Sequence, residues 1–223
     1  MIAPLGTKIT MPRRPVITLP DEDGDFYLVD GLPVRRWHAV EREARLSQPM
    51  PDHPAALRNI INAKHRGKQI HDAVALILEG KQFDPELLAD ESLPYVMAFL
   101  TYWTECRPLH LGQLRVEEPL WNRDLAYCCT PDFLDDFSIN EIKTTDRPSR
   151  CWGLQTAAQS LAQGDGLERR VIWLRPKRKS CPYEVLTPSD PRVFSVYDYD
   201  VVREATAGDY DGPATTAWRK ERP

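Results

Sequence analysis

Two carboxylates and a lysine lie close together near the middle of the chain, within residues 130–145. Asp132 is followed by a turn-prone acidic segment, and Glu141-Ile142-Lys143 then falls in a β-prone run. Alternate side chains of a strand point to opposite faces, so Glu141 and Lys143 share one face and Ile142 enters the core. If Asp132 ends a neighbouring antiparallel strand, its carboxylate meets that of Glu141. Such a pair with a lysine beside it is suited to a hard divalent cation and the water that the cation activates.

The charge distribution favours a phosphate-bearing partner near this motif. The 223-residue chain has a formal net charge of −4, yet residues 143–179 hold nine Lys and Arg against three Asp and Glu, a local net charge of +6. A basic patch beside carboxylates is typical of an enzyme that acts on phosphodiesters. A solvated surface face explains the same charges equally well, so charge alone leaves both interpretations open.

Length, hydropathy and cysteine content limit the class of protein. A chain of 223 residues suits one domain with extensions and buries enough surface to fold without covalent staples. The longest apolar run, at about 95–103, is shorter than the roughly 18 residues expected of a membrane span, and the N-terminal segment lacks the pattern of a secretory signal. Five cysteines without a C-x-x-C pair are expected in a reduced, intracellular protein.

The elements that must position the chemical residues follow from hydrophobic periodicity and turn signals. A β-hairpin is predicted over 26–34, with Asp30-Gly31 as its turn. Helices are predicted at about 36–46, 54–78, 92–106, 152–162 and 191–205. Strands are predicted at 113–120, 124–130, 138–143, 167–174 and 183–186. This order predicts an α/β protein with a mixed central sheet and helices on both faces, a three-layer α/β/α arrangement with N-terminal helical additions.

Composition predicts the domain organisation. Residues 1–22 are rich in proline and are predicted to form an extended arm, whereas residues 23–207 form a single domain. Within that domain, the helical part occupies about 36–106 and the core about 111–190. Residues 208–223 are predicted to be a flexible tail.

Five short motifs surround the carboxylates in a fixed order along the chain. They are Gly67-x-x-x-His71 on a helix, Glu117 before a strand, Thr130-x-Asp132, Glu141-x-Lys143-Thr144, and Gln155-x-x-x-Gln159 on a helix. In this order they resemble the PD-(D/E)xK nucleases, specifically the RecB-like exonuclease branch with its phage-encoded and mitochondrial-genome-maintenance members. The resemblance covers about residues 26–205 and implies a restriction-endonuclease-like core.

Three positions depart from the pattern of that branch. Cys129 stands where glycine is usual, Gln159 where tyrosine is usual, and Pro33-Val34-Arg35-Arg36 where Pro-Ser-Val-Thr is usual. Some relatives carry an iron–sulfur cluster on four cysteines, but the cysteines of this chain do not match that layout. We therefore expect no iron–sulfur cluster.

The resemblance implies a role for each matched residue. Asp132 and Glu141 are expected to hold Mg²⁺ or Mn²⁺, with the Ile142 carbonyl and His71 as further ligands. Lys143 is expected to position the attacking water and to help deprotonate it, although burial lowers its pKa and the carboxylates raise it. Gln155 is expected to orient Lys143 or to touch a phosphate oxygen. Glu117 is expected to support the metal ligands without binding the metal itself. Further residues are expected to contact nucleic acid: Lys68, Thr144, Arg147 and Arg150.

The function implied by the resemblance is that of a metal-dependent DNA exonuclease. Phage or prophage recombination is the expected setting, with DNA and a single-strand annealing or recombination protein as partners, in the cytoplasm; the oligomeric state stays open. A catalytically silent nucleic-acid-binding module is one alternative, and the intact set of Asp132, Glu141 and Lys143 argues against it. A restriction-type endonuclease is another, and the His71 helix together with Gln155 favours the exonuclease over it.

Overall fold

The structure is a computed structural model, and it describes residues 15–18, 24–47, 51–107, 112–164, 166–178 and 180–220. Within these ranges the chain is mixed α/β, with ten strands in two sheets and six α-helices. The α/β class predicted from the sequence is therefore confirmed. None of the helices in these ranges is both long and apolar enough to cross a membrane.

The first sheet has five strands in the order β1-β2-β3-β6-β5, of which only β3 and β6 pair in parallel. Its strands are β1 (Ile17–Thr18), β2 (Phe26–Val29), β3 (Leu32–Arg36), β5 (Leu120–Asn122) and β6 (Tyr127–Cys129). Asp30 and Gly31 join β2 to β3 with φ of 49° and 82°. Positive φ at both central residues matches the twist of a tight hairpin, so the predicted hairpin forms where the Asp-Gly pair placed it.

The second sheet carries the Glu-x-Lys motif. Its strand order is β10-β9-β8-β7-β4, with β8 and β9 parallel and the remaining pairs antiparallel. Its strands are β4 (Arg115–Val116), β7 (Phe133–Leu134), β8 (Ser138–Lys143), β9 (Glu168–Leu174) and β10 (Tyr183–Leu186).

The sequence predicts one mixed central sheet, whereas the structure divides the strands between two sheets. The strand predicted at 113–120 is interrupted at Glu117, which has the left-handed φ of 47°. Residues with side chains rarely adopt that conformation within a strand, so the chain turns there and β4 and β5 join different sheets.

Helices pack against both faces of the second sheet, and the described residues contain six α-helices in all. They are α1 (Trp37–Glu43), α2 (Pro54–Leu78), α3 (Leu93–Cys106), α4 (Cys151–Gln163), α5 (Asp198–Ala207) and α6 (Pro213–Lys220), with a 3₁₀ turn at Pro85–Leu87. Buried residues of α2 and α3 cluster with Phe133, Ile142 and Ile172. Buried residues of α4 cluster instead with Leu134 and Ile139. Because neighbouring strand residues point to opposite faces, α4 lies on the face away from α2 and α3.

The last predicted helix begins later than expected. The periodicity predicts a helix over 191–205, but α5 starts at Asp198. The buried Asp198 carboxylate accepts a hydrogen bond from the Ser195 backbone N–H at 3.1 Å and one from Arg169 at 3.3 Å. These bonds hold the preceding residues as a loop that leads into the helix, so the helix cannot extend backwards.

The ends of the chain also differ from the prediction. Pro213–Lys220 of the predicted flexible tail forms α6, and Trp218 is fully buried. The Glu204 carboxylate accepts hydrogen bonds from the backbone N–H groups of Ala214 and Thr215 at 2.9 and 2.7 Å, which satisfies donors at the start of that helix. Of the predicted arm, Ile17–Thr18 pair with β2, and most of the remainder lies outside the described residues.

Candidate active site at the edge of the second sheet

Strand pairing brings the two carboxylates together. In the β7–β8 pair, Phe133 is opposite Asn140 and Leu134 is opposite Ile139. One step further along the same antiparallel register places Asp132 opposite Glu141. Directly opposed residues in a sheet lie on the same face, so the two carboxylates meet as expected, although Asp132 immediately precedes β7 and does not end the strand predicted at 124–130.

Glu141 is buried, at 3 % exposure, and each of its carboxylate oxygens accepts hydrogen bonds. Oε1 accepts from Lys143 Nζ at 2.8 Å and from Gln155 Nε2 at 2.7 Å. Oε2 accepts from Gln159 Nε2 at 2.7 Å. Lys143 Nζ also donates to Gln155 Oε1 at 2.7 Å, so these side chains form one closed network.

Gln159 is a site residue that the sequence analysis treated only as a departure from tyrosine. It is fully buried on α4, one turn beyond Gln155, and its amide nitrogen is held against Glu141. Residues four apart lie on the same helix face, so the Gln-x-x-x-Gln spacing was the signal that could have identified it. Cys129, the other departure, lies in β6 and is absent from the residues with positive φ, so the backbone there does not need glycine.

Asp132 is held by two donors from different elements. Its Oδ2 accepts the Ile142 backbone N–H at 2.5 Å, and its Oδ1 lies 2.7 Å from His71 Nδ1. His71 belongs to α2, whose buried residues pack on the opposite face of the sheet from α4. Asp132 therefore lies at the sheet edge, where side chains from both helical layers meet.

The charges of these groups shift one another's pKa values. Burial and the negative charge of Asp132 both raise the pKa of Glu141. Burial opposes the charged form of Asp132 as well, but His71, Lys143 and the Ile142 N–H outweigh it and lower the pKa of Asp132. Burial likewise opposes the imidazolium of His71, and the Asp132 carboxylate outweighs it, so the pKa of His71 is raised.

Lys143 is a protonated ammonium group in this arrangement. Burial disfavours its charge, but Glu141 and Asp132 outweigh burial and raise the pKa of Lys143, with a smaller contribution from Glu41 of α1. This balance answers the question that the sequence left open. With its pKa raised, Lys143 donates hydrogen bonds at neutral pH.

Glu117 lies next to the site through its backbone and its charge. Its N–H donates to the Asp132 carbonyl at 3.0 Å, in the left-handed bend that separates β4 from β5. The residue is exposed overall, yet surrounding atoms still desolvate its carboxylate. This desolvation and the charge of Asp132 raise the pKa of Glu117.

The four predicted nucleic-acid contacts fall into two groups. Lys68 is exposed on α2 about one turn before His71, Arg147 is exposed in the loop after β8, and Thr144 is partly exposed beside Lys143. Arg150 is different, because it is only 8 % exposed and its Nη1 donates to the carbonyls of Pro191 and Phe194 at 3.1 and 2.7 Å. Its guanidinium anchors a loop, so the assignment of Arg150 to nucleic-acid binding is corrected.

The carboxylate oxygens of Asp132 and Glu141 are the candidate ligands for a divalent cation. No group of three or more His, Cys, Asp or Glu side chains in the described ranges is arranged as a metal site. Asp132 and Glu141 nevertheless retain acceptor capacity, since a carboxylate has about four lone-pair positions and the described donors use two on Asp132 and three on Glu141. The mutual repulsion that raises the pKa of Glu141 is also the interaction that a bound cation relieves. The two carboxylates therefore fit a hard cation bound through oxygen.

No protein-family model matches the chain, and no curated protein sequence matches it. The functional argument consequently rests on the geometry of the site and on the order of its motifs.

Proposed function

We propose that this protein is a metal-dependent nuclease of the PD-(D/E)xK type, acting as a DNA exonuclease. One observation carries the proposal: His71, Asp132, Glu141, Lys143 and Gln155, which come from four of the five motifs, are linked by hydrogen bonds of 2.7–2.8 Å and by the β7–β8 register. His71 and Asp132 are 61 residues apart in sequence. A chance Asp and Glu-x-Lys on a surface has no reason to gather a distant histidine and a helix glutamine.

The arrangement of elements supports the same proposal at the level of the fold. The second sheet has α2 and α3 against one face and α4 against the other. We propose that this unit is the three-layer α/β/α, restriction-endonuclease-like core, and that the first sheet and α1 are additions to it. The site then lies where β8 ends and the helices of both layers converge.

Asp132 and Glu141 would hold Mg²⁺ or Mn²⁺, with His71 and the Ile142 carbonyl as further ligands implied by the family resemblance. When bound, such a cation polarises the scissile phosphate and lowers the pKa of a coordinated water. The acidic residues have the oxygen donors that these ions prefer.

The remaining residues prepare the site for hydrolysis. The reaction forms a bond between the water oxygen and phosphorus and breaks one phosphorus–oxygen ester bond; one proton goes to the leaving alcohol and one to solvent. Lys143, as an ammonium group, donates to the attacking water or to a phosphate oxygen on which negative charge develops. Gln155 fixes the position of Lys143 and of Glu141 at once, because its amide bonds to both.

Activity on DNA of different topology tests the proposal. Linear, nicked and closed-circular DNA are incubated with Mg²⁺ and the wild type, Asp132→Asn, Lys143→Met or, as a matched control, Asp136→Asn. Asp136 is an exposed aspartate four residues from Asp132. We expect loss of linear DNA that needs the metal, at least about a hundredfold slower in the first two variants and unchanged in the control.

Other outcomes point to the alternative functions. Binding of DNA without cleavage under any divalent cation would contradict the proposal and favour a silent nucleic-acid-binding module. Cutting of closed circles at discrete sites would favour a restriction-type endonuclease. A role in phage or prophage recombination, in the cytoplasm and with an annealing protein as partner, is proposed from the resemblance alone.

A further inference from the structure

A cavity lies beside the candidate site, at the ends of the parallel strands β8 and β9. It has a volume of about 290 Å³. Thr145 and Asp146 line it, and they follow Lys143 and Thr144 directly in the chain. Successive Cα atoms are about 3.8 Å apart, so the Cα atom of Thr145 lies within about 8 Å of that of Lys143. The cavity and the catalytic lysine therefore share one edge of the sheet.

The floor of the cavity is built on β9. Trp173, which lines it, is the register partner of Lys143 in the β8–β9 pair. The indole Nε1–H of Trp173 donates to the Thr145 carbonyl at 2.7 Å. This bond ties the loop after β8 to the end of β9, so the cavity is preformed.

The wall of the cavity is cationic. Arg175, Lys177 and Arg178 line it against a single acidic residue, Asp146. Arg175 and Arg178 each donate to Glu184 Oε2, at 3.0 and 3.2 Å. Their positions are therefore set by a protein carboxylate.

Lys177 differs from these arginines. It is exposed, and within the described part of the chain it has no ion pair. A lysine left unpaired on the rim of a preformed basic cavity is placed to bind a phosphate group from outside the protein.

The cavity lining also contains an aromatic side chain. Tyr95 of α3 lines the cavity and is half-buried, with the Arg66 guanidinium carbon 5.6 Å from its ring centroid. Aromatic rings beside a cationic groove are the means by which proteins hold unpaired bases without sequence preference. Cavities for small ligands begin at about 300 Å³, so the observed volume is close to that of a site for one small ligand such as a nucleotide.

We propose that this cavity binds one unpaired nucleotide of the DNA strand adjacent to the scissile phosphodiester, with Lys177 on its phosphate and Tyr95 beside its base. The assignment rests on the proposed nuclease function, and it adds a substrate class to it: a strand whose end is single-stranded or frayed. Placement of the strand here presents the neighbouring phosphodiester to Asp132, Glu141 and Lys143.

The test is a binding measurement that does not depend on cleavage. Anisotropy of a fluorescein-labelled single-stranded oligonucleotide is titrated with the full chain in EDTA, at several salt concentrations between about 50 and 200 mM. Lys177→Glu is compared with Lys220→Glu, which changes the net charge equally but is an exposed residue on α6, outside the cavity lining. We expect Lys177→Glu to weaken binding about tenfold and to reduce the salt slope by about 0.7, the value for one phosphate contact on a single strand, and Lys220→Glu to do neither.

Two results would overturn the assignment. Equal binding of the oligonucleotide by the Lys177→Glu and Lys220→Glu variants would show that the cavity does not contact the DNA strand, even if the wild type degrades linear DNA. Equal affinity of the wild type for a deoxynucleoside 5′-monophosphate and for the oligonucleotide shows a site for free nucleotides and not for a strand. A wild type that binds through Lys177 but cleaves no DNA would instead contradict the nuclease proposal and leave this site standing.

Discussion

The site is organised around one buried carboxylate. Glu141 is 3 % exposed, and an unpaired charge at such a position is strongly unfavourable. Lys143, Gln155 and Gln159 supply three donors to it, and two of these come from one face of α4. The network therefore fixes the orientation of the carboxylate before any substrate arrives, as electrostatic catalysis without reorganisation requires, while burial and the charge of Asp132 raise its pKa.

Removal of one donor from Glu141 tests this interpretation. Gln159→Met keeps the size of the side chain but deletes the bond to Oε2, and a hydrogen bond to a charged group contributes about 1.5–3 kcal/mol. We expect nuclease activity to fall at least about tenfold and the free energy of unfolding to fall by about 1–3 kcal/mol. Denaturant unfolding and cleavage of linear DNA measure the two effects. Gln163→Met, one turn further along α4 and outside the network, is the control and leaves both values unchanged.

The His71–Asp132 pair gives a pH dependence with a definite sign. The pKa of His71 is raised in the folded protein, because Asp132 outweighs the effect of burial. The pair therefore stabilises the fold fully below the unfolded pKa of about 6.5, and its contribution is lost as the pH rises through the folded pKa. In EDTA, we expect the unfolding free energy of the wild type to exceed that of His71→Gln by more at pH 6 than at pH 9.

A direct titration separates the two influences on His71. In Asp132→Asn the charge is gone while burial remains, so we expect the pKa of His71 to fall below the ordinary value of a histidine. NMR of the imidazole protons measures it. An unchanged His71 pKa in this variant would show that Asp132 does not carry the effect.

At the scale of elements, α4 connects the site to the rest of the fold. Gln155 and Gln159 face Glu141, while Arg150 at the start of the helix binds carbonyls of the loop before α5. The position of the glutamines thus depends on an anchor that makes no contact with substrate.

Arg150 and Arg147 are expected to respond in opposite ways. Arg150→Met leaves the buried carbonyl of Phe194 and the partly buried carbonyl of Pro191 without their donor, so we expect the unfolding free energy to fall by about 2–4 kcal/mol with little change in DNA affinity at low temperature. Arg147→Met removes an exposed charge beside the site, so we expect several-fold weaker DNA binding and a change in stability within about 0.5 kcal/mol. Denaturant titration and anisotropy decide between them. Weaker DNA binding by a fully folded Arg150→Met variant would show that Arg150 contacts nucleic acid, as the sequence analysis predicts.

The candidate site residues could be located from the sequence because each belongs to a short local motif. The alternation in β8 placed Glu141 and Lys143 on one face, and helical periodicity placed His71 and Gln155 on their helices. The division into two sheets was not predictable, because it depends on the left-handed conformation at Glu117 and on pairing between distant strands. The burial of Arg150 was missed for a similar reason: its partners are carbonyls 41 and 44 residues away.

At the scale of the whole molecule, one apolar cluster joins both sheets to the C-terminal part of the chain. It contains residues of α1, β6 and α4 together with Val201 of α5 and Trp218 of α6. Leu154, Ala157 and Ala158 of this cluster alternate along α4 with the glutamines that hold Glu141. The packing of the last helix therefore supports the orientation of the site.

Trp218→Ala is the sharpest test of that architecture. The side chain is fully buried, and truncation of a buried tryptophan costs about 3–5 kcal/mol. We expect a loss of that size in denaturant unfolding, with activity retained at temperatures where the variant is still folded, because Trp218 belongs to the apolar cluster and not to the hydrogen-bond network of Glu141. Phe137→Ala removes a large aromatic side chain that is 58 % exposed and should change stability by less than about 1 kcal/mol. If Trp218→Ala changed the free energy of unfolding as little as Phe137→Ala does, residues 213–220 would be a solvated tail, as their sequence predicts. The position of α4 would then depend on its packing against the sheet alone.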